Sequence, residues 1–319
     1  MSQLLAVSFS QVFGVQFWIN VGLLAAIYGL FTAGMQLNIG TTGLYNFAQA
    51  GFMAVGAYTM GILVVDAHLS FWAALPLAAA SAVAVALIVG VPSLRLRGDY
   101  FAIATIAASE TIQYIIQNIG ITGGNQGLLG FNGQWTTLST SISSLLDLSS
   151  SDFLVPLLIV SWVIFILALV ALSVLQRTPW GRVLKAIRDD QDAARSLGKS
   201  IFRYKLQSLS IAAVLAAIAG YLLALDLAYL SPNEFTTDNT FIAAAMLLVG
   251  GLGSYRGVLI GAVLIETLLN ATLSLNLVGL PLSDSQLGAL RFVLIGALLV
   301  GLALWRPQGL LGRREAKGP

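Results

Sequence analysis

Three carboxylic acids lie within long apolar stretches of this chain, namely Glu110, Asp226 and Glu266. An ionised group in such a stretch is costly unless it faces water or a partner group. The carboxyl groups either line a polar path or form hydrogen bonds to a neighbouring helix. For Glu110, which lies among hydroxyl and amide side chains, the sequence does not separate these interpretations. For Asp226 and Glu266 it favours the hydrogen bond.

The other residue types exclude several catalytic and metal sites. The chain has no cysteine and one histidine, His68, so thiolate sites, disulfides and histidine clusters such as H-E-x-x-H are excluded. Neither the P-loop pattern nor a G-x-S-x-G elbow occurs. We therefore expect no catalytic residue, no metal site and no bound cofactor on this chain. If ATP powers its activity, ATP-Mg binds to a partner chain.

The composition indicates which elements must position these groups. The chain has 319 residues, of which 57% are hydrophobic and 9% charged, and its mean hydropathy is +0.87. Soluble domains average about 25% charged residues, so this chain has too few charges for a water-facing surface. Lipid covers apolar surface instead in a polytopic membrane protein. Soluble enzymes and nucleic-acid-binding proteins are thereby excluded, and a bilayer is the expected environment.

The apolar stretches predict an all-α protein with about eight to ten transmembrane helices. Nine crossings fit the pattern, and eight or ten remain possible if 41–65 or 240–254 is broken or re-entrant. No basic region precedes the first stretch, so we expect no cleaved signal peptide. The nine stretches are at about 17–37, 41–65, 70–94, 98–119, 153–176, 205–230, 240–254, 257–278 and 287–305.

Basic residues are confined to a few segments, and short loops rich in Lys and Arg face the cytoplasm. The segment 177–205 holds eight basic residues, and the tail 306–319 is basic too, so both are predicted to be cytoplasmic. The segments 120–151 and 231–239 contain no Lys or Arg and are predicted to be external. We expect a single transmembrane domain over 1–319.

The cytoplasmic segment contains a predicted amphipathic helix. Thr178 and Pro179 are typical of a helix start, and Gly198 can end the helix in the left-handed conformation. Apolar residues recur between them at helical spacing on one stripe: Trp180, Val183, Leu184, Ile187, Ala194 and Leu197. The helix either rests on anionic lipid or docks into a groove on a partner protein.

Glycines recur inside the apolar stretches. Small residues allow helices to pack closely in lipid, and this is the favoured interpretation. The alternative is a locally unwound helix whose backbone lines a translocation path. The candidate path residues are Gly51, Gly56, Glu110, Gly251, Gly253 and Gly257, and the cluster around Arg256 favours a helix break there.

Several segments, taken together and in order, resemble one transporter family. The run Asp192 to Gly198, DAARSLG, resembles the E-A-A-x-x-x-G loop of bacterial ABC importer permeases, with Asp in place of Glu. The surrounding loop is similar to that of the LivM-type branched-chain amino acid permeases. Four further segments share this similarity: LRLRGDYFAIATIAASE at 94–110, TGGNQGL at 122–128, LLVGGLGSYRGVLIGA at 247–262 and WRPQGLLG at 305–312.

The resemblance implies a type II-like ABC importer permease in the inner (plasma) membrane of a bacterium. Its implied partners are a second, LivH-like permease chain, two cytoplasmic ATPases and a periplasmic or external amino-acid-binding protein. The coupling residues implied are Trp180, Asp192, Ala193, Ala194, Leu197 and Gly198. The cargo implied is a branched-chain or other neutral amino acid. A urea or short-chain amide permease and a secondary transporter without an ATPase are the alternatives.

Overall fold

Helices account for nearly all of the regular structure in the computed structural model, which describes residues 14–145, 154–274, 284–306 and 308–312. Each of the nine apolar stretches contains a helix, so the all-α prediction is confirmed. In chain order the helices are α1 (Val15–Met35), α2 (Gln49–Val65), α3 (Phe71–Ser93), α4 (Gly98–Asn118), α5 (Gly133–Leu145), α6 (Val155–Leu175), α7 (Pro179–Asp189), α8 (Gln191–Ser196), α9 (Ile201–Leu227), α10 (Thr237–Gly250), α11 (Tyr255–Ser274) and α12 (Asp284–Trp305).

Five of the described helical segments are long and apolar enough to cross a membrane, and a bent pair adds a sixth if it forms one span. This count is lower than the eight to ten spans expected. The difference arises because α2 has only 17 residues, and because α4 carries Asp99, Glu110 and several amides and hydroxyls. The five segments are Val15–Thr42, Phe71–Ser93, Val155–Leu175, Ile201–Leu227 and Gly288–Trp305, and the pair is Thr237–Gly250 with Tyr255–Thr272.

The core lies around α9, which packs against α1, α2 and α3. Close approach of α2 and α9 depends on small residues, since a Cβ at Gly56 would overlap the backbone of Ala217. Gly220 likewise leaves room for the carbonyl of Met53. Lipid provides no hydrophobic drive for helices to associate, so dense contact between backbones supplies the attraction.

Both stretches that the sequence left open as broken are broken. After α1 the chain continues as a π-helix, Gln36–Thr42, which ends at Gly43 with φ +69°. Residues 43–47 contain no helix, and α2 begins at Gln49. The second break lies between α10 and α11, which meet at 120°.

The segments predicted to be external lie together at one end of the bundle. The two-residue strands β1 (Leu128–Leu129) and β2 (Tyr229–Leu230) pair antiparallel, with Leu128 opposite Leu230. The amide of Gln113 also donates to the carbonyl of Pro232 at 3.0 Å. The segment 120–151 is not a simple loop, because it includes α5. Part of it, 146–151, and most of the tail 306–319 lie outside the described residues.

Candidate functional site

Helix α7 begins as its sequence predicts. The Thr178 hydroxyl caps the first turn by accepting from the Gly181 amide at 3.4 Å, and Pro179 takes the first helical position. Leu184 and Ile187 are fully buried against the bundle. The half-buried indole of Trp180 donates from Nε1 to Gln207 Oε1 at 2.8 Å. The apolar stripe of α7 therefore faces the protein itself.

The single helix predicted over 179–198 is wrong, because the chain breaks at Asp190. This residue is extended, with φ −153° and ψ 112°, and its Oδ1 accepts from the amides of Asp192 and Ala193 at 2.8 and 3.0 Å. Aspartate side chains compete in this way for backbone donors and begin a new helix. The result is a pair of short helices, α7 and α8, in place of one rod.

The candidate coupling residues of α8 divide between two faces. Ala194 is 3% exposed and packs with Ile187 and Ile201, so its small size serves packing within the chain. Asp192, Ala193 and Leu197 face outward with Gly198, and Leu197 is 78% exposed. Gly198 has φ +74°, as predicted for a left-handed helix end, and an added Cβ there would meet no atom within 4 Å. The outward group forms a small surface that a partner protein can contact.

Helix α7 also contacts the π-helix that follows α1. Arg188 Nη1 donates to the carbonyl of Gly40 at 2.7 Å. Gln176, just before α7, donates from Nε2 to the Thr41 hydroxyl at 2.7 Å. A carbonyl of the π-helix, at the buried residue Gly40, therefore accepts a charged donor from α7.

The same π-helix contacts the break between α10 and α11. With its amide oriented by the surrounding hydrogen bonds, the Gln36 oxygen accepts from the amides of Gly253 and Ser254 at 2.5 and 2.8 Å. From the other side, the amides of Leu310 and Leu311 donate to the carbonyls of Val249 and Gly250 at 2.9 and 3.0 Å. The π-helix therefore links α7 to the bent pair, and the segment 308–312 closes the end of α10.

The glycines of the bent pair serve this close packing. A Cβ at Gly257 would overlap the carbonyl of Gly250, and one at Gly251 would overlap the backbone of Gly312. Gly251 and Gly253 have φ of +105° and +83°, which L side chains rarely adopt. The predicted break is thus at 251–254, and its glycines are required by conformation and by contact. Whether this backbone lines a translocation path stays a prediction.

Gly51 and Gly56 lie between helices in the core. The Gly51 amide donates to Ser109 Oγ of α4 at 2.9 Å, and Gly56 contacts α9. Glu110 is half-buried on α4 and accepts a hydrogen bond from the hydroxyl of Thr237 at the start of α10. These positions agree with the packing interpretation for the glycines and with a helix-to-helix bond for Glu110. They do not test a role in translocation.

Sequence reasoning missed the π-helix and its contacts. The buried polar side chains of this segment are Gln36, Asn38, Thr41 and Thr42. Their signal was present as the polar run QLNIGTTG between two apolar stretches, which we interpreted as a boundary. The sequence gives no sign of the bond from Arg188, since its partner Gly40 is distant in sequence.

The fold and these contacts define the class as an all-α, multi-pass membrane protein with short amphipathic helices outside its spans. The profile of the family described as branched-chain amino acid transport system / permease component matches residues 17–303. The chain belongs to this family, as the sequence resemblance indicated. No solved structure matches the chain.

Individual relatives have similar descriptions. The LivM high-affinity branched-chain amino acid transport permease of Escherichia coli (strain K12) is 33% identical over 92% of this chain and 69% of its own length. A probable LivM permease of Methanocaldococcus jannaschii is 28% identical over 72% of this chain and 64% of its own length. The LivH permease of Salmonella typhimurium is 26% identical over 92% of this chain and 94% of its own length.

Proposed function

We propose that this chain is a permease subunit of an ATP-driven importer that carries branched-chain or other neutral amino acids across the inner membrane of a bacterium. The observation that carries the proposal is the 33% identity to a LivM permease across 92% of the chain. The α7–α8 pair adds support, since Asp192, Ala193, Leu197 and Gly198 are exposed together and form a surface that an ATPase could contact. A secondary transporter has no need of such a surface.

The proposed complex has four other subunits. Similarity to both LivM and LivH permeases suggests a second, LivH-like permease chain beside this one. Two cytoplasmic ATPases would bind ATP-Mg and contact α8, and an external binding protein would deliver the amino acid. This chain itself would bind no cofactor and would perform no catalysis.

The proposed mechanism is alternating access driven through α7. Closure of the ATPases would displace α8 and α7, and the bond from Arg188 to Gly40 would carry that displacement to the π-helix. Gln36 would pass it on to the break between α10 and α11. Each step uses a hydrogen bond between packed elements, which is the kind of contact that couples two arrangements of a helix bundle.

Deletion of the gene for this chain tests the proposal. We expect uptake of labelled leucine, isoleucine or valine that depends on the binding protein to be lost and to return on complementation. Binding of the same amino acid by the purified external protein should be unchanged, which separates transport from capture. Loss of urea or short-chain amide uptake with every neutral amino acid unaffected would support the alternative cargo. Uptake that persists when the neighbouring ATPase genes are deleted would support a secondary transporter.

A further inference from the structure

A cavity of about 380 Å³ lies between α1, α9, α10, α11 and α12, beside the segment 231–239. Small-molecule sites range from about 300 to 1,000 Å³, so this volume suits one small ligand. The cavity is distinct from the α7–α8 surface and from the contacts of the π-helix. Nothing in the mechanism above uses it.

Groups of opposite charge face this cavity. Three carboxyl groups belong to its lining, those of Asp226, Glu234 and Glu266, together with one guanidinium, that of Arg291. The excess of acid favours a cation, whereas Arg291 provides a fork of donors suited to a carboxylate or phosphate. A ligand that carries both an ammonium and an acidic group matches this arrangement, and a simple metal ion does not.

Two of these groups have hydrogen-bonding capacity that no described residue uses. Arg291 Nε is buried without a hydrogen-bond acceptor. Asp226 forms neither a hydrogen bond nor an ion pair with any described residue. Glu266, at 3% exposure, accepts one long bond of 3.3 Å from Asn270 Nδ2. The charge of Arg291 acts on Glu266, and Asp226 is half-buried. Buried polar atoms in native proteins are nearly always paired, so the unpaired Nε of Arg291 leaves a donor that a ligand in the cavity can use.

The remaining lining is aliphatic and aromatic. It comes from α1, α10, α11 and α12 and includes Leu24, Ile242, Leu269, Phe292 and Ile295. A charged end and an apolar wall in one small cavity suit a zwitterion that has an aliphatic side chain. A small-molecule site of this kind typically combines an apolar lining with a few convergent polar groups.

We propose that this cavity binds a small zwitterion with a primary ammonium group, the ammonium facing Asp226 and Glu266 and the acidic group facing Arg291. The assignment of that ligand as the transported amino acid rests on the proposed function. The headgroup of an aminophospholipid carries the same ammonium and acidic groups, so the experiment must separate the two sources. In either case the structural interpretation of Asp226 and Glu266 as simple helix-to-helix bonds is replaced by a ligand-binding role.

The test measures direct binding to the purified full chain without its binding protein. Labelled L-leucine is titrated onto nanodiscs of phosphatidylcholine and phosphatidylglycerol, with and without phosphatidylethanolamine. The variants are Asp226→Asn, Glu266→Gln and Arg291→Gln. Matched controls are Asp238→Asn and Arg203→Gln, which change exposed charges that do not line the cavity. Size-exclusion profiles and melting curves show whether each variant is folded.

We expect saturable leucine binding that weakens by about tenfold to a hundredfold in the three variants, because each loses a charged bond to the ligand. The two controls should bind like the wild type. If phosphatidylethanolamine competes with leucine, or co-purifies with the wild type and not with the variants, the cavity holds the lipid headgroup. Equal binding of both ligands by wild type and variants, or binding of neither, overturns the site.

Uptake by the complete system, measured in parallel, separates this inference from the proposed function. Normal uptake of leucine by cells carrying Glu266→Gln and Arg291→Gln, together with unchanged binding, overturns the site and leaves the function standing. Absence of leucine uptake by the wild-type system overturns the proposed function. The nanodisc measurement then still shows whether the cavity binds leucine or the lipid headgroup.

Discussion

At the scale of single residues, neighbouring positions of the segment 192–198 have different structural roles. Ala194 is buried against Ile187 and Ile201, whereas Leu197 and Gly198 are exposed. A large side chain at Ala194 would overpack the interior at a cost of about 1–3 kcal/mol. Loss of function in such a variant would therefore not test whether a partner docks at α8. Gly198 is the informative position, since an added Cβ meets no atom within 4 Å and only its φ of +74° is strained.

We predict that Gly198→Asp inserts into the membrane at normal abundance but loses both uptake and co-purification with the ATPase. The substitution adds about 1 kcal/mol of backbone strain and places a charge on the outward surface of α8. Uptake, membrane abundance and ATPase recovery are measured on the same tagged variants. Asp192→Asn should be much milder, since its exposed 3.4 Å pair with Arg195 is worth about 1 kcal/mol or less.

Gly130→Asp is the matched control for this prediction. Gly130 has φ +91° and open space around an added Cβ, so its strain is similar, but it lies in the segment predicted to be external. We expect Gly130→Asp to keep ATPase recovery at the wild-type level. Equal loss in both variants would attribute the defect to strain, and normal uptake by Gly198→Asp would restore the lipid-resting interpretation of the helix.

At the scale of elements, the π-helix 36–42 joins two parts of the chain that are far apart in sequence. Arg188 reaches it from α7, and the break between α10 and α11 contacts it through Gln36. Its buried polar side chains bond to backbone carbonyls of the same segment and to α9, as in the 2.8 Å contact between Thr42 and Ser208. Hydrogen bonds of this kind fix the position of the π-helix against α9, and we therefore expect displacement of α7 to reach the break between α10 and α11.

Removal of the contact between α7 and the π-helix should uncouple transport without loss of assembly. In Arg188→Ala the Gly40 carbonyl loses a charged donor, and bonds of this kind contribute about 1.5–3 kcal/mol. We expect uptake to fall at least about tenfold, by the conversion of 1.4 kcal/mol to one decade, while the ATPase still co-purifies. ATP hydrolysis and uptake are measured on the same reconstituted samples.

Arg182→Ala on the same helix is the matched control, because Arg182 is exposed and forms no bond with a described residue. It should leave the ratio of uptake to ATP hydrolysis unchanged. If Arg188→Ala transports as well as Arg182→Ala, the π-helix carries no coupling. Loss of ATPase recovery in Arg188→Ala would show that the residue positions the docking surface instead.

The bent pair of α10 and α11 should tolerate no side chain at its crossing point. In Gly257→Ala the new methyl group would overlap the Gly250 carbonyl, and backbone cannot move aside as a flexible side chain does. We expect destabilisation by about 1–3 kcal/mol, measured as a lower melting temperature in detergent. Gly296→Ala in α12, where an added Cβ meets nothing within 4 Å, should leave melting unchanged or slightly raised.

At the scale of the whole molecule, the segments group at two ends as their charges predict. The two segments without Lys or Arg, 120–151 and 231–239, meet through the pairing of β1 with β2. At the other end, Arg95 and Arg97 line one cavity together with Arg195 and Lys205. These four basic groups therefore share one end of the bundle, which agrees with the bias of basic loops toward one side of the membrane. The assignment of that end to the cytoplasm stays a prediction.

Single cysteines test this orientation, since the chain has no cysteine of its own. On intact cells an impermeant thiol reagent should label Ser143→Cys and Asn233→Cys but not Ser200→Cys or Lys317→Cys. Asn233 and Ser200 are both exposed, so their difference reports on sidedness and not on burial. Permeabilised cells should give labelling at Ser200→Cys. Labelling of Ser200→Cys on intact cells would contradict the predicted orientation and indicate the opposite one.

The sequence by itself determined the class, the apolar stretches, the start of α7 and the left-handed glycine after α8, and it left two segments open as broken. These features depend on local composition, on periodicity and on capping residues such as Thr178 and Gly198. All of these can be identified within short runs of neighbouring residues. The family resemblance came from ordered motifs, and it too required no contact between distant residues. Lipid solvation is a property of each stretch, so hydropathy was sufficient to find the helices.

Only the tertiary structure decided what the polar groups contact. Gln36 and Gly253 are far apart in sequence, as are Arg188 and Gly40, and pairing between them depends on how the helices cross. The break at Asp190 arose because its side chain captured two backbone donors in competition with a continuous helix. Asp226, Glu266 and Arg291 face one cavity because α9, α11 and α12 converge there. Periodicity identifies the apolar face of a single helix. Which helices meet at a cavity depends on how they pack, and a single sequence does not reveal that packing.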